Sequence, residues 1–260
     1  MQKKSIYYHV LLGLLGWNSW SAAQDYKQFV FSVNSGYSWS TKANICANPS
    51  FWDPAPEGYN ARVGNSAFYS AGIGYQPWCF PLLLMFSAVT RPSYKYCKFQ
   101  SSLTVSGDIG SKTRFFNVSN NVFLFAVFIN KINPWWCWHV GCNSSIAPFI
   151  GGGVGVAYNS VDNVHTVLPT QQPGGFNDVL SIMNKNTKSS IAAQAEIGLA
   201  IACNESVVFD IGYRFFYGGQ FATNNYVVNI PGGFTRPSLA PAWSGRLMAN
   251  ELNVGFSVQF

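Results

Sequence analysis

Charge is scarce in this chain. Only 10% of its 260 residues are Asp, Glu, Lys or Arg, against roughly 25% in an average soluble domain. Long apolar runs are missing too: no stretch of ~18 or more apolar residues occurs, which excludes a membrane protein built from helices. Glycine at 24 and proline at 13 sit near background, so collagen-like and low-complexity classes fall as well. Three histidines leave little material for base catalysis. What is present is apolar and aromatic: 48% hydrophobic residues, with 21 Phe, 13 Tyr and 9 Trp. That is enough for a large buried or lipid-facing surface, and it excludes a disordered chain. Low charge, many aromatics and no spanning helix together fit a transmembrane β-barrel, where apolar residues alternate with polar ones and never accumulate in a run.

The two ends agree with export to a membrane. The amino terminus places Lys3 and Lys4 before an uncharged stretch from Ser5 to Trp20 centred on Val10 to Gly16, and Ser21-Ala22-Ala23 before Gln24-Asp25. A basic start, a short apolar centre and a small-x-small site read as a signal peptide, residues 1–23, cut after Ala23. Residues 24–260 are then the mature domain, and loss of Lys3 and Lys4 lowers the formal charge from +6 to +4. So modest an excess gives no reason to expect nucleic acid. At the carboxyl end Leu252, Val254, Phe256, Val258 and Phe260 alternate with polar residues or glycine, a strand with one greasy face.

The same period recurs between the ends. Phe29, Phe31, Val33, Tyr37 and Trp39 share one face of a first strand, with Ser32, Asn34, Gly36 and Ser38 on the other. Further strands are expected near Ser66 to Gln76, Leu82 to Arg91, Phe116 to Ile129, Ile146 to Tyr158, Ile191 to Ile201, Val207 to Tyr217 and Arg246 to Phe260. The segment Val122 to Ile129 is continuously apolar, which periodicity alone cannot tell from a buried helix. Glycine on one face at Gly151, Gly153 and Gly155 suits a narrow interior crowded from the opposite wall. Short connections, Pro77 to Pro81 and Asn204-Glu205, alternate with long polar ones near Thr41 to Asn65, Pro92 to Phe115, Asn159 to Ser189 and Gly218 to Gly245. Asn130 to Ser145 is the long exception among the short turns. The expected fold is therefore all-β: an eight-stranded antiparallel up-and-down transmembrane β-barrel with short periplasmic turns and long outer loops.

The pattern resembles the small eight-stranded outer-membrane barrels of the opacity-protein and OmpA-like transmembrane superfamily of Gram-negative bacteria. The resemblance rests on the glycine-rich strand Phe149 to Asn159, the strand end Gly72-Ile73-Gly74-Tyr75-Gln76, the segment Arg91 to Tyr96 and the tail Val254 to Phe260. The alternating residues Leu252, Val254, Phe256, Val258 and Phe260 are similar to the family's C-terminal assembly signal, which implies the barrel-assembly machinery as a partner during biogenesis. The resemblance also implies outer-membrane localisation, with lipid and lipopolysaccharide around the wall. It implies a structural or adhesin-like surface-interaction role carried by the outer loops, as in a surface antigen that meets a host-surface molecule. A porin-like narrow channel for ions or small solutes is the alternative.

Inward faces are expected to carry Asn34, Gln194, Glu196, Asp210, Arg214 and Glu251. Carboxylates set against Arg214 would form an ionic plug, because a buried charge needs a partner. Trp39, Tyr69, Tyr75, Tyr158, Tyr213 and Tyr217 read as interfacial girdles. Lys95, Lys98, Lys112, Arg114, Lys185 and Lys188 are loop cations that could meet lipopolysaccharide phosphates. Six cysteines in an exported chain raise disulfides first. Cys46 and Cys97 fall on the outer side, and Cys79, Cys137, Cys142 and Cys203 on the periplasmic side. The ~30 Å hydrocarbon core keeps the two sets apart, since a disulfide needs Cα atoms within ~7 Å. Cys46–Cys97 and Cys137–Cys142 are the expected pairs, with Cys79 and Cys203 free or joined across the barrel floor. Cys137, Cys142 and His139 lack the second cysteine pair that a zinc site would need, so no metal is expected. No cofactor is expected either. Enzyme chemistry is not expected: His139 and His165, the latter near Asp162, have no adjacent serine, which leaves a rim-sited lipid or peptide hydrolase as the weakest alternative.

Overall fold

The computed structural model describes residues 28–41, 43, 62–77, 80–100, 112–132, 134–140, 144–168, 178–229, 236–239 and 242–260. The expected signal peptide, together with Cys46, Cys79 and Cys142, lies outside them. No helix occurs among the described residues. Among the described residues twelve strands run in chain order: β1 Phe29–Ser40, β2 Asn65–Tyr75, β3 Leu82–Gln100, β4 Lys112–Ile129, β5 Trp138–His139, β6 Ser145–Leu168, β7 Asp178–Met183, β8 Asn186–Ala202, β9 Val207–Ala222, β10 Tyr226–Asn229, β11 Arg236–Leu239 and β12 Ser244–Gln259.

Eight of these close a ring in the order β1-β2-β3-β4-β6-β8-β9-β12 and back to β1, every pairing antiparallel. The seam joins the first and last strands with Phe31 opposite Val258 and Tyr37 opposite Leu252. At the end of the seam, Phe29 and Phe260 exchange two backbone hydrogen bonds of 3.1 and 3.0 Å. A closed ring leaves no open strand edge in the wall, which lets its ladder groups pair with one another rather than with water.

The polarity of the wall is inverted relative to a soluble protein. Ile73, Val154 and Ile191 point outward and are 64%, 62% and 75% exposed, whereas Ser32, Arg91, Asn120 and Glu251 point inward and are fully buried. Period two carries this directly, since each residue flips to the opposite face of its strand. The continuously apolar run in β4 is a strand as expected, and both of its faces have apolar surroundings. Phe123, Phe125 and Ile129 face out while Val122, Leu124, Ala126 and Phe128 pack inside.

The strands exceed the expected lengths at one end. Spanning a bilayer takes ~9–11 residues, yet β3, β4 and β6 have 19, 18 and 24 residues. Much of the sequence expected as outer loop, including Pro92 to Gln100, Lys112 to Phe115 and Asn159 to Leu168, is therefore strand that raises the wall beyond the membrane. Register shifts between Arg91 and Tyr94, between Phe115 and Asn117, and between Leu247 and Met248 hide this continuation, because each breaks the period of two. Pro92, which has no N–H to give the ladder, sits within the first of them. Off the raised part of β6, β7, β10 and β11 extend a small antiparallel sheet.

Inside, two apolar clusters lie one above the other. The upper contains Phe68, Tyr94, Tyr96, Phe116, Phe216, Phe221 and Trp243. The lower, toward the short turns, contains Val30, Leu83, Met85, Phe128, Ile132 and Phe149. Glycines paired with the large rings on the neighbouring strand make room for them: Gly151 lies opposite Phe128 and Gly198 opposite Phe149, and a Cβ on Gly151 would collide with the Phe128 ring while one on Gly198 would lie 2.7 Å from Phe149.

Candidate functional site

Between the two clusters lies a layer of charge. On one wall Glu196, Arg214 and Glu251 are directly opposite neighbours on β8, β9 and β12. On the facing wall Arg91, Asn120 and Asn159 are neighbours on β3, β4 and β6. Arg91 joins the two rows across the lumen. Its Nε and Nη2 donate to the Glu251 carboxylate at 2.6 and 3.0 Å, and its Nη1 donates to Asn120 Oδ1 at 2.9 Å. Asn120 in turn donates to Asn159 Oδ1 at 2.7 Å, and Asn159 to the carbonyl oxygens of Gly218 and Gln220 at 2.7 and 2.8 Å.

The chain of charges continues downward. Arg214 Nε donates to Glu196 at 2.9 Å, and its Nη1 lies 3.5 Å from Glu251. Asn253 donates to the other Glu196 oxygen at 3.0 Å. Lys131 Nζ lies 3.2 Å from Asp210 and 3.9 Å from Glu196. Three cations thus face three carboxylates, and the set is neutral. Aromatic faces complete its enclosure. The Arg91 guanidinium lies 3.5 Å from the Phe216 ring centroid, Arg214 lies 5.2 Å from that of Phe68, and Lys131 is 4.7 Å from both Phe128 and Phe149. Cations over ring faces gain most where water is excluded, and paired charges are tolerated in such a site only when hydrogen-bonded. The arrangement cross-links opposite walls and occupies the section of the barrel through which a solute would have to pass.

All six residues expected inside are placed there: Gln194, Glu196, Asp210, Arg214 and Glu251 buried, and Asn34 half-buried with its amide donating to Ser70 Oγ at 3.1 Å. Sequence reasoning missed Arg91, Lys131, Asn120, Asn159 and Asn253. Arg91 was legible, since it shares a period-two face with Leu83, Met85, Ser87 and Val89. Lys131 was not: it follows Asn130, whose φ of 66° turns the chain out of strand geometry.

The other expected positions divide. Leu252, Val254, Phe256 and Val258 lie on the outward face of β12, and Phe260 stacks on Phe29 at 6.2 Å. Tyr69, Tyr75, Tyr158 and Tyr213 are exposed on the outer wall, with Trp39 and Tyr217 half-buried. Tyr213 donates to Asn250 at 2.7 Å. Lys95 and Lys185 are exposed, and Lys188 donates to Gln220 at 2.8 Å. The side chains of Lys98, Lys112 and Arg114 lie outside the description. Cys137 and Cys203 are free thiols, so the expected Cys137–Cys142 bridge is not made in this structure. Instead the Cys137 sulfur faces His139 Nε2 at 3.9 Å. The Cys46–Cys97 pairing falls outside the description. His165 is in β6 rather than a loop; its ring stacks on Phe115 at 4.9 Å and its Nδ1 lies 2.9 Å from the Asn163 carbonyl oxygen. No group of three or more His, Cys, Asp or Glu that could hold a metal occurs among the described residues.

Two hollows flank the charge layer. A vestibule of about 610 Å³ opens at the short-turn end, lined by Lys131, His139, Ser145, Asn204, Glu205 and Gln259. A groove of about 640 Å³ lies on the outer wall between Tyr69, Phe123 and Tyr158, floored by Ala71 and Ala88.

A closed antiparallel ring with its apolar residues outside and a neutralised set of charges within is a transmembrane β-barrel. No protein-family profile matches the chain, and no curated protein matches it. Among solved structures it is similar to Neisserial surface protein A, at 12% identity and TM-score 0.40 over 89% of this chain and 97% of that one. It is also similar to the N-terminal β-barrel domain of Pseudomonas aeruginosa OprF, at 12% identity and TM-score 0.34 over 90% and 98%. A third is the outer membrane protease OmpT of Escherichia coli, at 9% identity and TM-score 0.34 over 94% and 99%. The fold stands on the strand registers and the inverted polarity, not on these likenesses.

Proposed function

We propose that this chain is a bacterial outer-membrane barrel with a closed interior, acting as a structural and surface-interaction protein through the raised wall and connections at its long-loop end. The observation that carries the reading is the charge layer. Arg91, Glu251, Arg214, Glu196, Lys131 and Asp210 are ion-paired inside the lumen, Arg91 reaching Glu251 from the facing wall, with the Phe68 and Phe216 rings on one side and Phe128 and Phe149 on the other. An eight-stranded interior is about wide enough for side chains to fill it, and here they do. The wall residues supply the contact with lipid. The exposed Lys95 and Lys185 suit lipopolysaccharide phosphates or an acidic host surface. Export by a cleaved signal peptide belongs to the same reading.

The test is a planar-bilayer recording on the mature chain, residues 24–260, purified from the outer-membrane fraction. The expected record stays at the lipid baseline. Discrete conductance steps in the wild-type protein would overturn the closed interior in favour of a solute channel. Recovery of the protein from the soluble periplasm without detergent would overturn the membrane assignment itself.

A further inference from the structure

The connection between β4 and β6 is too long for a simple turn and carries Trp135, Trp136 and Trp138, which are 72%, 61% and 51% exposed, beside the exposed Val140. It is built, not loose. Asn130, at φ 66°, accepts from the backbone N–H groups of Trp135 and Trp136 at 2.9 and 3.4 Å. Its amide donates to the Trp136 and Pro148 carbonyls at 2.9 and 2.8 Å, tying the turn to β6. β5 then pairs with the first residues of β6, taking the place in the wall that β4 vacates after Ile129.

Register decides which way the rings point. Trp138 lies opposite Ile146 and His139 opposite Ser145, and directly opposed residues share a face of the sheet. Ser145 and His139 line the inner vestibule. Ile146 is on the same face of β6 as the outward Ile150, so Trp138 points outward, and Trp136 sits against it at 5.1 Å. Trp135 meets Phe80 at 6.5 Å, and Tyr75, Phe29 and Phe260 follow around the rim at 5.6 and 6.2 Å. An aromatic arc therefore runs from the end of β12 to β5. The β8–β9 turn, Cys203-Asn204-Glu205-Ser206, carries no aromatic residue.

We propose that this tryptophan turn is a lipid-interface anchor, seated among the headgroups at the short-turn rim and gripping one side of the barrel more firmly than the other. It rests on the membrane-spanning reading above. The occupant is lipid because Trp138 continues the outward, lipid-facing row of β6 through Ile146 and Ile150. Indole, apolar with one N–H donor, is also the side chain best matched to the boundary between hydrocarbon and water.

The test uses the mature chain in phosphatidylcholine vesicles, and the variant W135F/W136F/W138F, whose difference from the parent isolates emission from the turn. Phosphatidylcholines brominated near the headgroup or deep in the acyl chain, and aqueous acrylamide, serve as quenchers. The expected result is strong quenching of the turn by the shallow bromine, less by the deep bromine and little by acrylamide. Quenching by acrylamide alone would overturn the anchor and leave the patch as a site for a periplasmic protein. A separate variant, Phe86→Trp, reports on the middle of the wall. If the deep bromine quenches it while the turn stays water-exposed, the anchor fails and the spanning barrel stands; if neither reporter is quenched by lipid, the spanning reading fails with it. Trp135→Phe and Trp136→Phe, made singly, give the same readout should the triple variant not fold.

Discussion

Replacing Glu251 by Gln tests the interior most directly. Glu251 is fully buried, accepts two hydrogen bonds from Arg91 at 2.6 and 3.0 Å and lies 3.5 Å from Arg214. Glutamine keeps the volume and removes the charge. Arg91 then has no carboxylate partner while Arg214 keeps Glu196, and the glutamine NH₂ competes for the space where Arg91 donates. Breaking a buried pair from one side costs about 3–5 kcal/mol, roughly two to four powers of ten in the unfolding equilibrium. The double variant Arg91→Met with Glu251→Leu behaves differently, because it removes both desolvated ions and fills the space with apolar atoms. Its stability should equal or exceed wild type, by up to about 4 kcal/mol. The assay is reversible urea unfolding of the mature barrel in phospholipid vesicles, followed by tryptophan emission and by the mobility shift of the folded form on gels. A loss below about 1 kcal/mol for Glu251→Gln, which is the range of exposed ion pairs, would refute the claim that the layer is dry and tightly coupled. So would a double variant whose cost equals the sum of its parts.

The same unfolding assay checks three further outcomes. Ile211→Lys, on the outward face of β9, should cost about 2–4 kcal/mol in lipid and Ser189→Lys, nearer the long-loop rim, only about 0–1 kcal/mol; equal costs would contradict the lipid-facing wall. Gly155→Ala should destabilise by about 1–3 kcal/mol, because its Cβ would meet the backbone oxygen of Phe123. Gly152→Ala, whose nearest neighbour would be 3.4 Å away, should be close to neutral, and the reverse order would show the inner wall to be slack. Asn204 Oδ1 accepts from the N–H groups of Ser206 and Val207 at 2.8 and 2.9 Å, so Asn204→Ala should lose about 0.5–1.5 kcal/mol and, lying in the turn at the mouth of the vestibule, leave the charge layer unchanged.

The wall was legible because one physical variable, the alternation of faces, governs it. β9 and β12 could be divided residue by residue into lipid and lumen from sequence, and so could the interior positions of Glu196, Asp210, Arg214 and Glu251. Legibility ended where that variable was interrupted. The shift between Arg91 and Tyr94 made β3 look finished at its most consequential residue. Asn163, at φ 51°, similarly masked the continuation of β6 through Val164, and the Asn, Ser and Thr content of that stretch reads as loop by composition. Cross-lumen partners are harder still. Nothing local in Arg91 indicates Glu251, and only ring closure brings them within reach. The tryptophan turn stands out in the sequence as an unusually long connection, but its outward aim depends on the two-residue pairing of β5, too short to leave a period.

The Arg91–Glu251 bridge spans 160 positions of chain, which ties electroneutrality to completion. Until β12 arrives, the interior holds Arg91, Arg214 and Lys131 against Glu196 and Asp210 alone, an uncompensated positive charge inside a half-formed trough. Zipping up the seam delivers the missing anion together with the last row of backbone partners. Neutrality and closure therefore coincide: the strand that shuts the ring is the one that carries the counter-charge to Arg91.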